Sequence, residues 1–217
     1  MRGFQMNIIK KMMELLKNDK KTNQTAQCSQ WGEKFKLAGF DKDGNCTHHI
    51  LGKSYEIEQT PNINRLVIAM DFNQTDLIMK LASQLSPPCY LLYVLLVSRM
   101  GHESGRYQSP LFETNEMLRT FFIKFQEYME TDGRFHLWIG TVDNSGTLVF
   151  DHHNVLFAYG QTDKYINVLK QEGYRKHKFS LPAPHVHQYY PDNDKYEDGI
   201  MNYCDWQHFP LADDDGY

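Results

Sequence analysis

The sequence holds little of what marks a specialised protein class. Four cysteines, Cys28, Cys46, Cys89 and Cys204, are scattered over 217 residues. No two stand in a C-x-x-C pair, which excludes a zinc knuckle and a thioredoxin-like motif. Four is also sparse for a disulfide scaffold of this length, so free buried thiols in a cytoplasmic protein are expected. No apolar run approaches the ~20 residues that span a bilayer. The longest, Cys89 to Val97, has nine. A secretory leader is not expected, since Met6 to Leu16 interleaves Lys and Glu with its apolar residues instead of forming an unbroken apolar core. Charge of neither sign dominates: the net charge of −4 argues against a nucleic-acid coat or a polybasic membrane binder. Walker loops, dinucleotide-binding glycines, H-E-x-x-H and kinase signatures are all missing.

What is present points to an ordinary globular chain. Hydrophobic residues make up 41% and charged residues 23%, within the range of soluble domains. At this length one domain with a small appendage is expected. Residues 1–30 read as an amphipathic helix (Ile9, Met12, Met13 and Leu16 at helical spacing) followed by a polar linker. A helix this short has too little apolar area for stable membrane contact. Residues 31–217 read as a single α+β domain. We expect a mixed, largely antiparallel sheet with about three packed helices, plus the N-terminal helix.

The elements follow from period and punctuation. Asp41-Lys42-Asp43-Gly44-Asn45 reads as a hairpin turn within 34–57, because it lacks the later ligands of a calcium loop. A strand at 65–70, a helix at about 75–85 and a covered strand at 90–97 come next. The apolar stripe Met117, Leu118, Phe121, Phe122, Phe125, Tyr128 and Met129 predicts one helix over 114–129, with Thr114 as its N-cap. Strands at 134–142, 147–150 and 155–159 are joined by the turns Asp143–Gly146 and Asp151–Asn154. A helix from Thr162 to Gly173 and a strand over 175–181 complete the pattern. From Asp192 onward the chain carries eight acids and one lysine, yet Ile200, Tyr203, Trp206, Phe209 and Leu211 stand among them. Such apolar content predicts a docked segment rather than a disordered acidic tail.

Candidate chemistry gathers at three places. The stretch Gly101–Pro110 reads as a loop at the end of a central strand, where α/β sheets bind ligands, and it holds His102, Arg106 and Tyr107. Asp151 precedes His152 and His153 and is placed to orient an imidazole. Adjacent turn residues point apart, so only one of the two histidines is expected to serve any one site. His185 and His187 share a face if the segment is a strand, and Asp192 follows, although Pro182 and Pro184 interrupt strand geometry.

Two functional readings follow. The first is a non-catalytic, cytosolic, bacterial binding protein of immunity or adaptor type. It recognises a protein with a basic surface through Arg106, Tyr107, Trp206, Asp213, Asp214 and Asp215, since aromatics among carboxylates anchor and steer a cationic partner. That reading needs no cofactor and no nucleic acid. The second is a metal-dependent or acid–base enzyme. His185, His187 and Asp192 then hold zinc or another first-row divalent metal, and a His102/Arg106 loop grips an anionic substrate. It requires a further ligand from the 101–107 loop or the 151–154 turn.

Overall fold

The computed structural model describes residues 34–59, 64–213 and 215. The expected helix at 6–16, the linker, Cys28 and Asp214 lie outside the described residues. Numbered in chain order, nine strands form the main sheet. Across the sheet they run β10 (Arg175–Lys176), β3 (Ser54–Gln59), β4 (Asn64–Ala69), β9 (Val155–Tyr159), β8 (Thr147–Phe150), β7 (Phe135–Thr141), β5 (Cys89–Leu95), β6 (Gly105–Gln108) and β12 (Gln207–Phe209). Every neighbouring pair is antiparallel except β10 with β3. A separate three-stranded sheet sets β1 (Leu37–Phe40) between β11 (Val186–His187) and β2 (Cys46–His48). Five α-helices are described: α1 (Gln74–Ala82), α2 (Asn115–Lys124), α3 (Gln126–Thr131), α4 (Thr162–Gln171) and α5 (Asp194–Met201). The expected α+β class, with a mixed and mostly antiparallel sheet, is the observed one. Among the described residues, no helix is long and apolar enough to cross a membrane.

Period-two alternation builds one dry face of the sheet. Leu66, Ile68, Leu91, Tyr93, Leu137, Leu148, Phe150 and Leu156 are buried there in the same cluster as Leu77, Ile78 and Leu81 of α1, and Leu118, Phe121 and Phe122 of α2. Each such side chain, fully buried, contributes roughly 1.5–3 kcal/mol. Thr114 caps α2 as expected, its hydroxyl accepting from the Met117 N–H at 3.3 Å. The single helix expected over 114–129 is instead two helices. The backbone leaves helical geometry at Phe125 (φ −113°, ψ 17°), which seats that ring 5.0 Å from Phe121 and 5.5 Å from Tyr203. Here packing overrides a continuous stripe.

Two other expectations shift. The stretch read as a ligand loop at 101–110 contains β6, because its backbone pairs with β5 on one side and β12 on the other. Gly105 makes that second pairing possible: a Cβ there would meet His208 Nε2 at 2.2 Å and the Phe209 carbonyl at 2.8 Å. The strand expected at 175–181 shortens to two residues. In the C-terminal segment Ile200 is fully buried and the Trp206 indole N–H donates to the Ile200 carbonyl at 2.8 Å.

A buried ion network fixes this segment. Arg134, immediately before β7, has no solvent exposure. Its Nε and Nη2 donate to Asp132 at 2.7 and 2.9 Å, and its Nη1 donates to Glu197 at 2.6 Å and Asp194 at 2.9 Å. Asp132 also accepts from the Tyr190 N–H at 3.2 Å and from Asn193 at 3.2 Å. Replacing one partner of such a cluster leaves charge stranded in a dry interior. Arg134→Met is therefore expected to cost about 3–5 kcal/mol in urea unfolding; a loss below about 1 kcal/mol would show that Asp132 and Glu197 find water or protons instead.

Candidate metal centre

Five imidazoles meet where the small sheet abuts the end of the large one. His136 comes from β7. His152 and His153 come from the turn between β8 and β9, and His185 and His187 from β11 and the residue before it. Ring centroids lie 4.5 Å apart for His136–His152, 4.1 Å for His152–His153 and 3.9 Å for His152–His187. The distances are 4.8 Å for His153–His187, 5.1 Å for His153–His185 and 5.4 Å for His185–His187. One ligand atom each from His152, His153 and His187 lies within 4.8 Å of the other two. A tetrahedral zinc with bonds near 2.0–2.1 Å sets its nitrogens about 3.3 Å apart, so the three atoms would have to draw somewhat closer to share one ion.

The turn explains how neighbours converge. Asp151 Oδ1 accepts from the backbone N–H groups of His153 at 2.9 Å and Val155 at 2.8 Å, and Asn154 takes a left-handed conformation (φ 61°). The chain therefore reverses within residues 151–154, and side chains in a reversal do not alternate faces as they do along a strand. The expectation that His152 and His153 point apart is overturned, since both rings enter the cluster.

Outer contacts orient the rings. Asp151 Oδ2 lies 2.9 Å from His153 Nδ1, the His152 carbonyl 3.2 Å from His187 Nδ1, and the Pro182 carbonyl 2.8 Å from His185 Nδ1. An acceptor at Nδ1 fixes the proton there and leaves Nε2 with its lone pair outward, the arrangement found around metal-ligating histidines. Burial, reinforced by His187, His136, His153 and Lys36, holds His152 far below the ordinary imidazole range. Burial, with His153 and His185 adding to it, pushes His187 down to about 4. Both are neutral near pH 7, the form that binds metal. His136 Nε2 is buried with no hydrogen-bond partner.

Sequence reasoning missed Lys36 and His136. Lys36 lies between Phe35 and Leu37 and reads as the solvent side of a hairpin strand, yet it is fully buried. Its ammonium sits 3.7 Å from the Phe150 ring centroid and 4.6 Å from that of Phe135. Burial lowers it to about 7 against the opposing pull of Asp151, Asp132 and Glu130. Its carbonyl accepts from the Gln188 N–H at 2.9 Å, one residue from His187. The histidine in the apolar strand Phe135–Thr141 was the available signal for His136.

The other candidate residues lie elsewhere. Asp192 does not join His185 and His187: it is exposed, with its carboxylate 3.5 Å from Lys34 Nζ, because the turn after β11 carries it toward α3. His102 and Arg106 are likewise outside the histidine group. His102 Nε2 meets Asp198 at 2.7 Å, and Arg106 donates from Nε and Nη2 to Asp215 at 2.7 Å each. Tyr107 is buried and its hydroxyl donates to the Glu103 carbonyl. Trp206 packs toward Tyr93, Asp215 is buried and Asp213 is exposed. A cleft of about 340 Å³ between Leu111, Met117, Tyr203 and Cys204 holds no such chemistry, and burial followed by Asp205 raises the Cys204 thiol to about 11. Compared with protein-family models, curated proteins and solved structures, the chain matches none.

The depressed histidines make a pH prediction. An unfolded imidazole takes a proton near pH 6.5, whereas folded His187 resists until about 4. Between those values the unfolded chain binds more protons, so stability is full above pH 6.5 and falls as pH drops toward 4. Urea unfolding of the metal-free chain across pH 4 to 7.5 is expected to show this decline, and His187→Gln to flatten it. A wild-type stability that is level over that window would refute a buried, neutral His187.

Proposed function

We propose that this chain is a metal-dependent enzyme whose centre is built on His152, His153 and His187. The observation that carries this reading is the convergence of three imidazoles from two distant segments, two of them held by acceptors at Nδ1. Imidazole-only donors suit zinc, copper, nickel or iron rather than magnesium or calcium, and zinc is our choice. His152, His153 and His187 would hold the ion, and three protein ligands are the number found in catalytic zinc sites. A zinc bound there would supply a water acidified toward neutrality, so hydrolysis of a carbonyl or phosphoryl compound is the proposed reaction class. Asp151 serves as the orienting carboxylate behind His153.

Elemental mass spectrometry of untagged protein purified without chelator is expected to find near-stoichiometric zinc or another first-row metal, lost in His152→Ala and His187→Ala. A metal-free, stably folded chain that takes up no added zinc would sink the proposal. Asp151→Asn keeps an oxygen for the turn and removes the carboxylate behind His153. It is expected to weaken zinc binding about 10–100-fold in competition titrations, with unfolding free energy little changed.

A second reading, docking of a basic protein partner on the C-terminal segment, is supported by Phe209 and Leu211, which are 39% and 37% exposed, beside exposed Asp205 and Asp213. Neutralising both acids is expected to slow association with such a partner at low salt, and an unchanged rate would remove this reading.

A further inference from the structure

Period two gives a sheet two faces, and every described helix contributes to the core on the same one. On the other face, paired residues form a row. Val67 stands opposite Phe157, Phe157 opposite Val149, Val149 opposite Trp138 and Trp138 opposite Leu92. Paired residues share a face, so β4, β9, β8, β7 and β5 present five apolar side chains side by side. None belongs to the cluster that packs with the helices, and all but Val149 are half-buried rather than buried. The row ends in polar residues on both sides, Glu56 on β3 and Gln108 on β6. An antiparallel sheet with one face in water alternates apolar with polar along each strand. Here five central strands are apolar on both faces, the pattern of a sheet covered twice.

Trp138 gives a second sign. Its indole N–H is sealed from water and has no acceptor among the described residues, and a buried donor without a partner costs about 1–3 kcal/mol. A segment lying on this face is placed to supply the acceptor.

The dimensions favour a single helix over a second copy of the chain. Four strand spacings make the row about 19 Å long, and a strip one helix wide covers about 200 Å² of it. A stable dimer needs about 800 Å² from each partner. Residues 6–16, which lie outside the described residues, would make a helix about 16 Å long, with Ile9, Met12, Met13 and Leu16 on one side and Lys10, Lys11 and Lys17 off it. Those lysines have counter-charges in Glu56 and Glu58 on β3, at one end of the row, although Arg65 takes one side of Glu58. Residues 17–33 span up to about 55 Å when extended, enough to pass around a domain whose radius of gyration is about 16 Å.

We propose that residues 6–16 are the occupant: they lie as a helix along the row from Val67 to Leu92 of the same molecule, apolar side inward, and close the second face of the sheet. This docking does not draw on the metal reading.

Nuclear Overhauser contacts in the full-length chain test it. Methyl groups of Ile9, Met12, Met13 or Leu16 are expected to give contacts to the Trp138 ring and to the methyls of Leu92 or Val149. A mixture of labelled and unlabelled chains, filtered for contacts between molecules, separates the sources. Contacts seen only between molecules would make a second copy the occupant and overturn the proposal, as would the lack of any contact from 6–16 to this face. Ile9→Asp combined with Met13→Asp puts charge on the apolar side of the segment. Exchange of the Trp138 indole proton is then expected to speed up about tenfold or more, with the β5 and β7 amides as protected as before. An unchanged indole rate would also overturn the proposal. If those amides lose protection too, the wild-type contacts decide alone.

Discussion

A guanidinium sealed from water is the constraint on which the rest of this structure depends. Arg134 precedes the central strand β7, and three carboxylates and a carbonyl close around it. Its desolvation is tolerable only because nearly every donor is matched. That requirement reaches far along the chain. Asp132 holds the start of the strand, Glu197 and Asp194 bring in α5, and Glu197 also takes the hydroxyl of Ser98 after β5 at 2.5 Å. The Tyr190 backbone is bound on both its N–H and its carbonyl.

The histidine cluster inherits its geometry from that anchor. Residues 185 and 187 lie on the short run leading to Tyr190, and β11 is only two residues long. So small an element has little capacity to place a ring by itself. Its position is set from outside by the Gly133 N–H donating to the Gln188 carbonyl at 3.0 Å, and by the close approach at Gly133, where a Cβ would lie 2.9 Å from that of His187. The turn at 151–154 is fixed independently by the β8–β9 hairpin. Side chains brought together by two supports, each stiffened by its own hydrogen bonds, have the preorganisation that a metal site would need.

Much of this was legible in the residues, and the failures have identifiable causes. Alternation and turn chemistry placed β4, β5, β7, β8 and β9, because each is long enough for a period to show. The His185–His187 pair stood out for the same reason. What it would meet did not, since nothing local tells which distant segment abuts a two-residue strand. Lys36 gives no sign of its burial, because an ammonium between two apolar neighbours is ordinarily solvated; here two aromatic faces and distant carboxylates make burial tolerable. The acidic tail divides its charge in a way composition does not reveal: Asp194, Glu197 and Asp215 meet arginines of the same chain, while Asp205 and Asp213 are exposed.

Among the described residues the main sheet ends on β12, a strand of three exposed residues that pairs with β6 on one side only. Open strand edges invite the edge of another copy, and short length and nearby charge are the usual protections. Asp205 and Asp213 flank this edge and are exposed, so two molecules approaching edge to edge bring like charges together before their backbones can pair. Like charge at such an edge opposes its pairing with the same edge of another copy.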